Sequence, residues 1–402
     1  MSKRYCMVLC VLMFVLAGRD VQAKTNIFWV AEGSKASDFD GNGRVDFTDF
    51  LILLKNFNTL SSDAVYDPRT DLDGNGVTNF SDFLAFSSSY GFAQAPVVPT
   101  SNDNYAIYVA DSDDSSVSAL DNLSHIMFDY LPFRAPGAVV ISPDQQFLYV
   151  SEVFGFFKLN TQHQVVFSVP VESRGRIALN ADATRAYVTD QSADLLRVVN
   201  LVTGVTLDSV AVGRNPIDIA ITPDGRKLYV TNQTDRNVTV IDVASLRVIT
   251  QITIGSIPGE ITFAPNGQRA FITNLTRGVI SVIDVNTDRV VGAIQLDQES
   301  SFGAELSPDG SILYVSAEGF LLAIDVARNL ILRTLQVAEQ TTVLGIVPDG
   351  SRAYIASFDQ VFGGPGMTVV DLQNWKVLGR LRGFLFPRQI AFRKLPAQTN
   401  SQ

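Results

Sequence analysis

Two acidic, glycine-containing stretches stand out for the chemistry they could support. They are "DFDGNGRVDFTD" at residues 38–49 and "DLDGNGVTNFSD" at 71–82. Counted from Asp38, oxygen-bearing side chains fall at positions 1, 3, 5, 9 and 12: Asp38, Asp40, Asn42, Asp46 and Asp49. Counted from Asp71, the same positions hold Asp71, Asp73, Asn75, Asn79 and Asp82. Position 7, which ligates through its backbone carbonyl, is Arg44 in one stretch and Val77 in the other. Position 6 is glycine in both, Gly43 and Gly76. A hard divalent cation of calcium size takes six to eight oxygens, and this spacing wraps a chain around one. Glycine permits the sharp turn that the wrapping needs. The reading is therefore two calcium ions, one per stretch.

Each stretch must be held by the segment on its C-terminal side. "FTDFLILLKNFN" and "FSDFLAFSSSYG" place Phe50, Leu53, Leu54 and Phe57, then Phe83, Phe86 and Tyr90, at helical spacing. No entering helix precedes either loop, because "EGSKAS" and "DAVYDPRT" carry Gly, Ser and Pro. An EF-hand loop with an exiting helix only, repeated, with Asp at position 12, resembles the dockerin family over about residues 36–92. The resemblance implies calcium binding and docking onto a cohesin-like or other surface protein. It places partner contacts at Phe47, Thr48, Phe80 and Ser81, just before position 12. The phenylalanines depart from the small polar pair common there, which leaves room for a different partner; packing between the two halves is an equal alternative reading for them.

The rest of the chain repeats with a period near 42. "IAITPDGRKLYVTN", "ITFAPNGQRAFITN" and "AELSPDGSILYVSA" are successive copies, and the aligned proline-like positions are 143, 181, 223, 265, 308 and 348. Four strands per unit at this period predict a β-propeller. The second-strand aromatic recurs at Tyr108, Tyr149, Tyr187, Tyr229, Phe271, Tyr314 and Tyr354, giving seven blades. "NYAIYVAD" near the start lacks a first strand and "RQIAFRK" near the end lacks its successors, so the two are expected to share one blade and close the ring. "LYVTN" followed by "VTVIDV" resembles the YVTN-type β-propeller family over about residues 104–396. The fold class expected is multidomain: a small α dockerin-like pair of EF-hand loops and an all-β seven-bladed propeller.

The N-terminus reads as a secretion signal, residues 1–23, with Lys3 and Arg4 before an uncharged run and "VQA" before Lys24. Cleavage would remove Cys6 and Cys10, leaving no disulfide, and would take the formal charge from −10 to −12 by losing a net +2 in Lys3, Arg4, Arg19 and Asp20. An acidic chain argues against nucleic acid as a partner, and no membrane span remains after the signal. The expected plan is then 24–92 for the calcium-loop domain, 93–103 for a Pro-rich linker, 104–396 for the propeller and 397–402 for a tail, in a secreted or cell-surface protein.

Catalytic chemistry is harder to find. The two histidines, His125 and His163, read as exposed loop residues, and no nucleophile elbow, zinc motif or phosphate loop is present. Five residues before the proline positions, the innermost strands carry Arg176, Asp218 and Glu260, with Gln389 from the closing strand; Glu305 adds an acid nearby. These side chains at the channel mouth either hold an unknown ligand or form a solvated rim. The leading function is an exported, non-catalytic binding or scaffold protein, docked by its calcium module and presenting the propeller as an interaction surface. Some similar seven-bladed propellers are lactonases and others hold quinones, so an enzyme delivered by the docking module is one alternative. A structural component of the cell envelope or surface layer is another.

Overall fold

The computed structural model describes residues 28–31, 39, 47–72, 76–87, 104–171, 174–359 and 364–395, with the side chains of 28–31, 47, 81, 84, 85 and 87 excepted. Residues 1–23, most of the first loop (Asp38, Asp40, Asn42, Arg44 and Asp46), Asp73, Asn75 and the linker 93–103 lie outside the described residues, as do the side chains of Phe47 and Ser81.

Residues 105–394 form seven four-stranded antiparallel blades. Blade 1 is a composite: its innermost strand is Pro387–Lys394, paired to Tyr105–Asp111 with Tyr108 opposite Ala391. Blades 2 to 7 then follow in chain order, each running from an inner strand outward. The ring thus closes through the two ends of the repeat region, as the truncated first and last repeats required.

Among the described residues, the apolar core of the propeller falls into seven clusters, each shared by adjacent blades. The large residue of each inner strand and the second-strand aromatic meet across these wedges, so Tyr229 of blade 4 packs edge-on against Phe263 of blade 5, 5.1 Å between ring centres. Burying one such apolar side chain stabilises the fold by roughly 1.5–3 kcal/mol.

The repeated "YVTN" string has a physical meaning at each position. Its tyrosine reaches the outer turn of the next blade: Tyr229 donates to Asp288, and Tyr314 stacks on Trp375 at 6.3 Å. The threonine hydroxyl donates to the inner strand of the next blade or its entry, from Thr231 to the Gly259 carbonyl at 2.9 Å and from Thr273 to that of Phe302 at 2.8 Å. The asparagine closes its own blade, Asn232 Nδ2 donating to Asn237 and Thr239, both at 2.8 Å. A cation two residues before the tyrosine caps a carbonyl in the next blade: Lys227 on Val285 (2.9 Å), Arg269 on Val326 (3.3 Å) and Arg352 on Asn122 (2.6 Å). Each bond contributes about 0.5–1.5 kcal/mol net, and repetition around the ring makes the disc rigid.

Both histidines belong to this scheme, which corrects the expectation that they are exposed. His125 and His163 occupy the same left-handed turn position as Asp288, with φ of 57°, 59° and 52°. His125 Nε2 pairs with the Tyr354 hydroxyl at 3.0 Å and is buried. His163 Nε2 pairs with that of Tyr108 at 2.8 Å, its Nδ1 meets Asp129, and its side chain is 8% exposed. A polar residue at that position is drawn inward by the neighbouring tyrosine, whatever the polarity of the turn around it.

Outside the repeats, Phe28–Ala31 adds a fifth strand to the outer edge of blade 7, Phe28 opposite Arg382 and Ala31 opposite Gly379. The open edge of an outermost strand accepts such an addition through backbone hydrogen bonds. Among the described residues, the calcium-loop region holds helix α1, Phe47–Asn56, helix α2, Phe80–Ser87, a 3-10 turn at Pro68–Thr70 and a small pairing of Thr59–Leu60 with Val77–Thr78. Phe39, Leu53 and Phe86 are its buried core, with Phe50, Ile52, Leu72 and Phe83 packed against them.

Candidate functional site

The two halves of the calcium-loop region are related by a shift of 33 residues, and the geometry repeats with it. Phe39 N donates to Asp49 Oδ1 at 2.7 Å, and Leu72 N donates to Asp82 Oδ1 at 2.6 Å. Asp49 and Asp82, the position-12 residues, are fully buried at the starts of α1 and α2. In the second loop, Asp82 Oδ2 also accepts from Asn79 N at 2.7 Å. Asp71 at position 1 is buried and accepts through Oδ2 from Gly76 N at 2.8 Å and from the Tyr66 hydroxyl at 2.6 Å. Tyr66 lies outside the loop spacing, so a pattern built on that spacing passes over it. Gly76 has φ of +84°, the left-handed turn that position 6 requires.

The donor chemistry of this loop suits calcium: Asp71, the Val77 carbonyl, Asn79 and Asp82 offer oxygen alone. Among the described residues, no three His, Cys, Asp or Glu side chains converge into a metal cluster. On the surface, Thr48 is exposed and Phe80 is 61% exposed, its ring resting on Phe83 at 5.7 Å. Phe80 therefore does not fill the space between the two halves.

The polar side chains singled out on or just before the inner strands act between blades. Asp218 Oδ2 accepts from Ile261 N of the next blade at 2.8 Å. Glu260 Oε2 accepts from Ala304 N at 3.2 Å, and Glu305 Oε2 from Ile346 N at 2.6 Å. On the other side of the ring, Gln389 Oε1 accepts from Val139 N at 3.2 Å. The reason is topological. An innermost strand has one open edge, and its backbone N–H groups need acceptors. Arg176 reaches across two blades to Glu260 at 3.0 Å.

These carboxyls are electrostatically strained. Burial pushes Glu260 up to about 7, against the pull of Arg176 and with a further push from Asp218. Burial also raises Asp218, again against Arg176. Glu305 is pushed up to about 8 by burial, with Glu260 adding to it and the Ile346 N–H opposing. Arg176, Asp218, Glu260 and Glu305 thus form one interacting group, whereas Gln389 braces blade 2 apart from them.

The described structure is a seven-bladed propeller carrying a small two-helix calcium-loop module. Comparison with known families agrees: residues 36–88 match the dockerin type I domain, and residues 151–267 match the YNCE-like beta-propeller. The chain carries both domains. Dockerin type I domains bind calcium and dock onto cohesins, and proteins that bear them are typically extracellular or on the cell surface. Among curated proteins, none matches this chain. Similar solved structures include Kuenenia stuttgartiensis hydrazine synthase, with a TM-score of 0.60 and 19% identity over 70% of this chain and 99% of that one. A functionally unknown protein from Desulfotomaculum acetoxidans has a TM-score of 0.63 and 15% identity over 71% of this chain and 98% of that one. At these identities the likeness speaks for the fold alone. No helix among the described residues is long and apolar enough to cross a membrane.

Proposed function

We propose that this chain is an exported, non-catalytic binding protein, fixed to a cohesin-like partner by its dockerin module and presenting the propeller as an interaction surface. The module holds two calcium ions, one ligated by Asp38, Asp40, Asn42, Arg44 O, Asp46 and Asp49, the other by Asp71, Asp73, Asn75, Val77 O, Asn79 and Asp82. Calcium supplies the positive charge around which the acidic loops close. The protein's own part is to present α1 and α2 as a pair of matching faces, with Phe47-Thr48 and Phe80-Ser81 as the contact positions.

The observation that carries the reading is the repeated brace, Phe39 N to Asp49 and Leu72 N to Asp82, beneath an outward-facing Phe80. A large aromatic held on a rigid helix start is a costly residue to leave in water and a good anchor for a partner. In the propeller, the mouth carboxyls are engaged in joining blades, which accounts for them without a reaction.

The test is surface plasmon resonance of the full chain against a panel of cohesin domains, in calcium and in EDTA, with calorimetry to count bound calcium. Two calcium ions per chain and calcium-dependent capture, weakened at least tenfold by Phe80→Ala, are expected. Saturation with calcium and no binding to any cohesin would refute the docking assignment.

A further inference from the structure

The loop entering blade 1, residues 383–386, places large apolar side chains in solvent: Leu385 is 50% and Phe386 43% exposed. Isolated exposed apolar residues need no explanation, but these are held rigidly. Both carboxylate oxygens of the fully buried Asp111 accept from this loop, Oδ2 from Leu385 N at 2.6 Å and Oδ1 from Phe386 N at 2.9 Å. Ser112 N donates to the Phe386 carbonyl at 3.2 Å. Other blades enter with Arg214-Asn215 or Ser256-Ile257 at the same place before their proline.

Arginines stand beside these residues. The Arg388 guanidinium lies over the Phe386 ring, 4.4 Å from its centre, and its Nε donates to Ser112 Oγ at 3.3 Å. At the entry to blade 2, Arg134 lies 5.8 Å from the ring centre of Phe154, which is 58% exposed. At the entry to blade 3, Arg174 is exposed and makes no ion pair among the described residues. Burial, then Arg174 and Arg176, lower the Arg388 pKa, while Asp113 and Asp111 oppose them. Arg174, Arg176 and Arg388 thus stand close enough to repel one another, in a chain whose formal charge is −10.

We propose that this rim, spanning the entries to blades 1, 2 and 3, binds an acidic peptide segment of a partner protein, with carboxylates on Arg174 and Arg388 and an apolar side chain on Leu385 and Phe386. Arginine pairs with carboxylates in two-pronged fashion, and arginine beside a fixed aromatic is the composition of interface anchors. Asp113 and Asp114 in the adjoining loop and the net charge of −10 oppose any continuous polyanion, so the segment that fits carries a few carboxylates set beside apolar side chains rather than the unbroken phosphate backbone of a nucleic acid. The proposal rests on the binding-protein reading of the propeller but not on its dockerin module.

The experiment is fluorescence anisotropy with the full chain in EDTA, where calcium-dependent docking is switched off. The probe is a labelled Glu-Asp-Phe-Glu-Asp-Phe peptide, compared with its Gln-Asn-Phe-Gln-Asn-Phe counterpart. Saturable, salt-sensitive binding of the acidic peptide is expected, weakened at least tenfold by Arg388→Ala and by Arg174→Glu. Arg328→Ala, whose side chain pairs with Asp325 at 3.1 Å in an outer turn, should leave it unchanged. Arg174 is exposed, so its variant should melt with the wild type and report binding alone. Equal binding of the neutral peptide, insensitivity to both arginine variants, preference for an oligothymidine strand, or full displacement by equimolar citrate would each overturn the proposal. Failure of cohesin docking with this binding intact would fault only the dockerin reading.

Discussion

Changing Glu305 to Gln should stabilise the propeller at alkaline pH and do little at acidic pH. The Glu305 carboxyl accepts the Ile346 N–H at 2.6 Å, and burial with Glu260 nearby raises it from 4.5 to about 8. The sign follows from linkage. In the unfolded chain the carboxyl ionises near its ordinary value, whereas the folded protein keeps the proton until about pH 8. Its contribution is therefore complete below about pH 4.5, is lost as pH rises through about 8, and is level beyond. The full shift corresponds to about 5 kcal/mol at most. Because the side chain keeps some exposure, about 2 kcal/mol is the sensible expectation. Glutamine keeps an acceptor oxygen for the Ile346 N–H and cannot ionise, and Gln389 already performs this task for Val139 N at 3.2 Å. At about 2–4 °C per kcal/mol for a domain of this order of size, the variant should melt roughly 4–8 °C above the wild type at pH 9 and within about a degree of it at pH 4. Differential scanning calorimetry of both proteins across that range decides. A difference in melting temperature that does not change with pH would refute the reasoning.

Three further predictions concern other parts of the same framework. Burial and Arg352 hold the His125 pKa down at about 3, with Asp121 opposing, so its contribution is complete above the ordinary histidine value and is lost as pH falls through about 3. His125→Asn, which suits the left-handed turn, should flatten that acid limb in pH-dependent melting by about 3 kcal/mol or more. Asn329 Oδ1 is buried without a donor, and by repeat position it faces Phe271, the one second-strand aromatic without a hydroxyl. Phe271→Tyr should stabilise by about 1 kcal/mol in urea titration, and destabilisation would show that the wedge has no room for the oxygen. Calcium at a hundredfold excess over its dissociation constant should stabilise the dockerin module by about 2.7 kcal/mol per site. Asp82→Ala should remove the second site's share while the propeller transition stays in place, as followed by calorimetry with and without EDTA.

The blade count and the composite first blade were legible because Tyr108 through Tyr354 mark one strand in every repeat, and because the missing partner at each end could only be the other end. The dockerin region was legible because the spacing of its acidic residues is a local property. The histidines were misread for the complementary reason. Their setting was judged from the polar turns "NLSHIMF" and "NTQHQ", whereas the deciding neighbour lies one blade away. Aligning the seven turns puts His125, His163, Asp288 and Asn329 at one repeat position, shared with Gly204, Leu246 and Trp375, that faces the second-strand aromatic of the preceding blade. Asp218, Glu260, Glu305 and Gln389 stand on inner strands, and Arg176 just before one. What they do there depends on an open strand edge in the adjacent blade, which no single repeat displays.

The same logic separates construction from function around the ring. Asp218, Glu260, Glu305 and Gln389 differ in charge and length, yet each accepts a backbone N–H of the next blade. Chemistry that varies while the contact stays constant is the mark of a structural task. At the entries to blades 1 to 3 the reverse holds. The buried Asp111 uses two hydrogen bonds to fix a loop whose Leu385 and Phe386 side chains are then exposed, beside arginines that repel one another. Neither the exposed apolar surface nor the crowded positive charge helps the blades pack. Both become favourable when an acidic, partly apolar chain lies across them, which is why the binding face is placed on this arc of the rim rather than in the channel.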